Sequence, residues 1–307
     1  MRYSLYLLCF LAIIMVTSCK KTPSSKTTSC TSVLYGYIGP DFQSMPCSFG
    51  IINPSTGTIS GLFTSTVWST SIQAAFNTSD SSYYVFLDYS KQYPYYDTLL
   101  KMTSSGTVSL LTRSVSDTAI YQDVIYNRAN NKLYCIKDGG LAELTVTGST
   151  YSSSATLVES VGEWTVDNAT GDMYGTGLSS SFATIFIKYQ PGTSTISVVA
   201  VDSIFPVKEI LGLQFNKNDN MLYAVRFKLE PCDFIRIDPA AGSITSLASV
   251  SFNVNADFYS AVIDPCSNRY IFSSFGFISQ LSMTGTLVHQ SSTGATDQLF
   301  QGLAIGN

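Results

Sequence analysis

Residues 211–250 read Leu-Gly-Leu-Gln-Phe-Asn (211–216), a polar turn, Met-Leu-Tyr-Ala-Val-Arg-Phe (221–227), a loop, Asp-Phe-Ile-Arg-Ile-Asp-Pro-Ala-Ala-Gly (233–242) and Ser-Ile-Thr-Ser-Leu-Ala-Ser-Val (243–250). Each run is rich in β-branched and aromatic residues, alternates roughly every second residue, and is bounded by Asn, Asp, Gly or Pro. The stretch therefore predicts four consecutive strands. Asp238-Pro239-Ala240-Ala241-Gly242 has tight-turn chemistry: proline presets φ at the second turn position, and glycine tolerates the left-handed position that follows. Residues 234–237 and 243–250 are expected to pair as a hairpin. A lone four-stranded sheet leaves apolar surface on both faces, so it needs neighbours.

A second copy lies near the N-terminus. Pro46-Cys47-Ser48-Phe49-Gly50-Ile51-Ile52-Asn53-Pro54-Ser55-Thr56-Gly57-Thr58-Ile59 aligns without a gap on the fourteen residues Pro231 to Ile244. Along the chain, first strands ending in Asn or Asp recur: Ala74-Ala75-Phe76-Asn77, Val124-Ile125-Tyr126-Asn127, Trp164-Thr165-Val166-Asp167, Leu213-Gln214-Phe215-Asn216 and Ala261-Val262-Ile263-Asp264. Successive end markers are 50, 40, 49 and 48 residues apart. Repeats of this length are propeller blades. The C-terminal Gly302-Leu303-Ala304-Ile305-Gly306-Asn307 reads as a first strand with no blade after it. Residues 33–37, 49–53 and 58–64 read as strands two to four with no first strand before them. Together they make one blade, and a blade shared by both ends closes a ring without a free edge. The fold class is all-β, a six-bladed β-propeller of four-stranded antiparallel blades, closed by the C-terminal strand joining the N-terminal blade.

The N-terminus has a different composition. Arg2 precedes an apolar run from Leu7 to Val16, too short for a permanent bilayer span. It ends Val16-Thr17-Ser18-Cys19, which resembles a bacterial lipobox, with Cys19 as the lipidated first residue of the mature chain. The expected organisation is residues 1–18 as a lipoprotein signal peptide, 19–30 as a lipidated tether (Lys20-Lys21-Thr22-Pro23-Ser24-Ser25-Lys26), and 31–307 as the propeller. The blades, with their Leu-Tyr second strands and Asp-Pro-x-x-Gly turn, resemble the six-bladed propeller superfamily and in particular the propeller lipoproteins of Bacteroidetes-type bacteria. That resemblance implies an architecture and leaves function open.

Charged residues make up 12% of the 307 residues and the net charge is −4, so nothing favours nucleic acid. His289 is the single histidine, and it falls on a predicted outer strand, away from a channel where a catalytic base would be placed. There is no Cys-x-x-Cys, His-Glu-x-x-His or phosphate loop. Asp123, Glu163, Glu209 and Asp257 precede first strands, with Gln73 and Gln301 at the same level in the other two blades. These positions are expected to rim the channel on one face, either as a solvated polar ring or as ligands of calcium, which takes six to eight oxygens. Trp68 and Tyr89, Tyr93, Tyr95 and Tyr96 fall in loops of that face. They suit a sugar or peptide platform, or packing between blades.

Cys30, Cys47, Cys135, Cys232 and Cys266 follow the tether cysteine. Cys30 lies before the second strand of the shared blade and Cys266 lies in the first turn of its neighbour, so Cys30–Cys266 is the expected disulfide, with Cys30–Cys47 as the alternative. Cys135 is expected to be a buried small hydrophobe, and Cys47 and Cys232 to lie in loops. The function these features favour is a monomeric, lipid-anchored, periplasm-facing envelope propeller that binds a protein or glycan without catalysis. The alternative is a polysaccharide hydrolase or lyase using channel-rim carboxylates.

Overall fold

The computed structural model describes residues 30–40, 47–65, 73–87, 98–114, 119–159, 161–202, 209–227, 232–250, 258–274, 276–292 and 298–306. The chain divides into two compact units, Met1–Thr31 and Ser32–Asn307. Cys30 and Thr31 are described in the first; both are exposed, and Cys30 is disulfide-bonded.

The second unit is a six-bladed ring of strands. β1 (Val33–Pro40), β2 (Cys47–Asn53) and β3 (Thr58–Ser65) are the outer three strands of blade 6. Blade 1 is β4 (Ala75–Asn77), β5 (Ser82–Leu87), β6 (Thr98–Thr103) and β7 (Val108–Arg113). Blade 2 is β8 (Tyr121–Asn127), β9 (Lys132–Lys137), β10 (Gly140–Thr147) and β11 (Thr150–Ser153). Blade 3 is β12 (Val161–Val166), β13 (Met173–Leu178), β14 (Thr184–Gln190) and β15 (Thr195–Asp202). Blade 4 is β16 (Glu209–Asn216), β17 (Met221–Phe227), β18 (Cys232–Asp238) and β19 (Ser243–Val250). Blade 5 is β20 (Phe258–Asp264), β21 (Arg269–Ser274), β22 (Phe277–Ser282) and β23 (Leu287–Ser292). β24 (Gln298–Gly306) completes blade 6 as its innermost strand, paired antiparallel to β1 from Val33 opposite Gly306 to Pro40 opposite Gln298. The closure expected from the chain ends is therefore present.

The sequence repeat is also a repeat of register. Asn53 faces Thr58 and Asp238 faces Ser243. Phe49 faces Phe63 and Phe234 faces Ala248. The ladder slips by one residue at Phe49/Gly50 and at the equivalent Phe234/Ile235. Gly57 and Gly242 end the two turns at φ +68° and +69°, the left-handed conformation that an L side chain adopts at a cost. Cys47 and Cys232 open the third strands of these blades and are buried. They are not loop residues, because each occupies an inward-facing strand position. Cys135, on β9, is buried as expected.

What holds the blades together lies between them. Six buried apolar clusters each fill one gap between neighbouring blades. In the gap between blades 1 and 2, Phe86 stacks on Tyr121, and Tyr151 meets both rings edge-on. Fully burying such a side chain contributes roughly 1.5–3 kcal/mol. Blades 1 and 2 are also joined at their outer edges: β11 runs parallel to β7, and Thr112 and Ser114 N–H donate to Ser149 and Tyr151 carbonyls at 2.9 and 3.0 Å. The two blades thus form one eight-stranded sheet.

Between blades 3 and 4 sits a buried ion triad. Arg226 of β17 reaches Asp202 at the end of β15 (3.0 Å) and Asp233 of β18 (2.9 Å), all three at most 5% exposed. Burial alone would depress the guanidinium pKa. The hydrogen bonds that the guanidinium donates to Asp233 and Asp202 outweigh it and hold the group charged.

Candidate functional site: the central channel

The six inner strands β4, β8, β12, β16, β20 and β24 run in the same direction around the axis. They begin on one face, called upper here, and end on the lower face, where short turns return the chain outward.

At the upper end the inner strands are laced together by side chains. Asp123 Oδ1 accepts the backbone N–H of Gln73 (2.8 Å), from blade 2 to blade 1. Glu163 Oε2 accepts the N–H of Leu213 (2.7 Å), from blade 3 to blade 4, and Gln73 Nε2 reaches the same oxygen across the axis (3.5 Å). Ser260 Oγ accepts the N–H of Leu303 (2.9 Å), from blade 5 to blade 6. Gln73 bridges to Leu303 and so links blade 1 to blade 6. These acceptors are available because the inner strands carry a bulge at this level, at 122/124, 161/164, 211/214 and 258/260. A bulge leaves a residue unpaired and turns its backbone out of the ladder. Asp123, Gly212 and Gly302 have φ of +46°, +66° and +57° at these irregularities.

Asp123 and Glu163, expected at a channel rim, take part in this lacing. Both carboxylates are buried, 9% and 7% exposed, and each satisfies a backbone donor of a neighbouring blade. Two buried tyrosines add to the lacing. Tyr83 Oη donates to the Gly302 carbonyl (2.7 Å) and Tyr270 Oη to the Gly212 carbonyl (2.6 Å). Burial pushes both phenol pKa values well above the usual 10, with the nearby Glu163 adding to the effect at Tyr270. Gln301 accepts a hydrogen bond from the Tyr37 hydroxyl within blade 6. Glu209 opens β16 opposite Phe227; its side chain lies outside what is described. Asp257, Trp68, Tyr89, Tyr93, Tyr95, Tyr96 and Cys19 lie outside the described residues. Among the described residues no group of three or more His, Cys, Asp or Glu is placed to hold a metal ion.

Below the lacing the channel widens into a cavity of about 440 Å³. Its walls are inner-strand side chains, among them Phe76, Ile125, Trp164, Phe215, Val262 and Leu303. Its mouth is on the lower face, formed by Thr78, Arg128, Asn168, Lys217 and Pro265 from the turns that follow the inner strands. The sequence reading placed ligand chemistry on the opposite face. The lower mouth escaped it because Arg128 and Lys217 look, one at a time, like ordinary turn residues. His289 lies on the outer strand β23, away from this cavity, and its Nε2 is 2.7 Å from the Ser55 carbonyl of blade 6.

No protein-family model and no curated protein matches the chain. Solved structures do. A chain of the nidogen/laminin complex superposes with a TM-score of 0.67 at 10% identity, covering 90% of this chain and 99% of that one. TolB from Acinetobacter baumannii gives 0.60 at 10% identity over 89% and 66% of the two chains. The calcium-binding protein regucalcin from Agrobacterium tumefaciens gives 0.52 at 8% identity over 75% and 77%. At these identities the likeness shows the β-propeller fold and nothing finer.

Proposed function

We propose that the protein is a lipid-anchored propeller of the cell envelope, facing the periplasm, that binds a protein or glycan without turning it over. One observation carries the non-catalytic reading: Asp123 and Glu163, two carboxylates at the channel's upper end, accept backbone N–H groups from adjacent blades. A general acid or base must reach the atom it protonates or deprotonates, and these two hold the ring instead. The solved propellers it is similar to include a nidogen/laminin complex and TolB, which agrees with a binding role. Anchoring is supported by the apolar run before Val16-Thr17-Ser18-Cys19 and the polar tether after it. Among the described residues no helix is long and apolar enough to cross a membrane. Acyl chains on Cys19 would supply about 0.8 kcal/mol per buried CH₂.

The decisive experiment incubates the purified protein with envelope glycans and envelope proteins, and scores retention and product release separately. Retention without new reducing ends or unsaturated sugars is expected. Release of product that is lost in Glu163→Gln overturns the non-catalytic reading in favour of a hydrolase or lyase. The anchor has its own test: Cys19→Ala should move the protein from the detergent phase to the aqueous phase of Triton X-114, and continued detergent partition rejects lipidation at that residue. We also propose that Cys30 pairs with Cys266, since each is disulfide-bonded. Non-reducing peptide mapping that finds either one joined to another cysteine rejects the pair.

A further inference from the structure

The lower-face cavity has a chemistry of its own, independent of the macromolecular partner proposed above. Arg128 and Lys217 are the charged side chains among its lining residues. Both are exposed, on the turns of blades 2 and 4, with Asn168 of blade 3 between them in the ring. The chain carries a net charge of −4, so a mouth holding two cations and no carboxylate runs against its overall balance.

The carboxylates of this face are engaged elsewhere. Asp80 pairs with Lys101 (2.7 Å) and Asp172 with Lys188 (2.5 Å). Asp167 and Asp238 accept hydrogen bonds within their own turns. Asp219 accepts the Tyr223 hydroxyl and Asp264 the Ser32 hydroxyl. Neither Arg128 nor Lys217 forms an ion pair with a described residue. Their turns are nonetheless fixed. Arg128 N–H donates to Asn168 Oδ1 (2.8 Å), Asn127 Nδ2 to the Gly171 carbonyl (2.8 Å), and the Asn216 and Asn218 amides share Asn268 Oδ1 (3.1 and 3.0 Å). The backbone positions of both cations are set before any ligand arrives.

We propose that this cavity binds a small organic carboxylate with an apolar body. The carboxylate lies at the mouth between Arg128 and Lys217, and the apolar body enters the channel toward Phe215 and Val262. A guanidinium presents a planar fork that matches a carboxylate. The cavity falls in the ~300–1,000 Å³ range of small-ligand clefts, and its walls set apolar side chains such as Phe215 and Val262 beside polar ones such as Gln73 and Gln214. A polyphosphate would bring more charge than two exposed cations offset.

Trp164 lines the cavity and Trp68 is the other tryptophan, so in a Trp68→Phe background the emission of Trp164 reports binding. The full chain in detergent is titrated with 3-phenylpropanoate and, in parallel, with 3-phenylpropan-1-ol. Saturable change with the acid is expected at millimolar concentration or below. Arg128→Ala with Lys217→Ala should weaken the acid about tenfold or more and leave the alcohol unchanged, while Arg128→Lys, which keeps the charge and loses the planar fork, should fall between the two. Both positions are exposed, and an unchanged urea midpoint verifies that the variants are folded. Equal binding of acid and alcohol, acid binding indifferent to the double substitution, or no saturation with the acid each overturns the proposal.

Discussion

The Tyr83 hydroxyl donates to the Gly302 carbonyl at 2.7 Å, so a strand of blade 1 grips the last strand of the chain. Gly302 has φ +57°, and a Cβ there would lie 2.7 Å from that hydroxyl. Backbone conformation and close approach therefore both require glycine. Ring closure rests on this contact together with the β24–β1 ladder and the bond from Leu303 N–H to Ser260. Tyr83→Phe leaves a buried carbonyl short of a donor and should cost ~1–3 kcal/mol. Deleting residues 302–307 removes much of the inner strand of blade 6 and should cost far more. Urea unfolding measures both, and a truncated protein with the midpoint of the intact one would show that closure does not govern stability.

Gly175 of β13 lies opposite Trp164 of β12. A Cβ at Gly175 would sit 2.4 Å from Cε2 of the indole, which is 1% exposed. Neither strand can retreat, since both are held between blades 2 and 4. Gly175→Ala is therefore expected to destabilise by about 1–3 kcal/mol through overpacking, with a shift in Trp164 emission. Adding Trp164→Leu makes room for the methyl group, so the double variant should lose less than the sum of the two single changes. Strict additivity would place the strain elsewhere.

Much of this architecture was legible because it is written as repetition. The match between residues 46–59 and 231–244 carried the strand register with it, including the bulge, since residues that repeat in sequence meet the same neighbours in each blade. The orphan strand 302–307 was legible for the same reason. The roles of Asp123 and Glu163 were not. A carboxylate at the start of an inner strand faces solvent or a neighbour's N–H depending on a one-residue bulge, and the bulge leaves no mark in composition. The β7–β11 pairing escaped as well, because it depends on how closely two blades approach at the rim. The Arg226 triad joins residues of two blades that are ordinary surface types when read singly.

The triad gives the third prediction. Arg226, Asp202 and Asp233 pair in a site from which water is largely excluded. Removing one partner leaves buried charge uncompensated, so Arg226→Met alone should cost about 3–5 kcal/mol. Replacing all three together, as Arg226→Met, Asp202→Leu and Asp233→Leu, removes the charges with their desolvation penalty and should approach the stability of the original. Urea midpoints of the single and triple variants decide it. A triple variant no more stable than Arg226→Met would mean that the triad contributes more than its own neutralisation.

Asp264 links blade 5 to the start of the blade-6 strands, and it sets a pH dependence. Its carboxylate accepts from Ser32 Oγ (2.6 Å), Cys266 N–H (2.9 Å), Ser267 N–H (3.3 Å) and Ser267 Oγ (2.5 Å). Burial raises the carboxyl pKa, but these donors outweigh it and hold it below the ordinary value. A carboxyl depressed in the folded state stabilises at pH values above its unfolded pKa, about 3.9. That stabilisation is lost as pH falls through the lower folded value. Asp264→Asn should therefore be less stable than the original at neutral pH by ~1–3 kcal/mol, and the gap should narrow from about pH 4 downward. Ser32→Ala should show a smaller loss with the same pH trend, because it removes one of the four donors. Urea midpoints at neutral pH and through the acid range test this. A gap that stays constant as the carboxyl protonates would mean that the charge on Asp264 contributes nothing to the join.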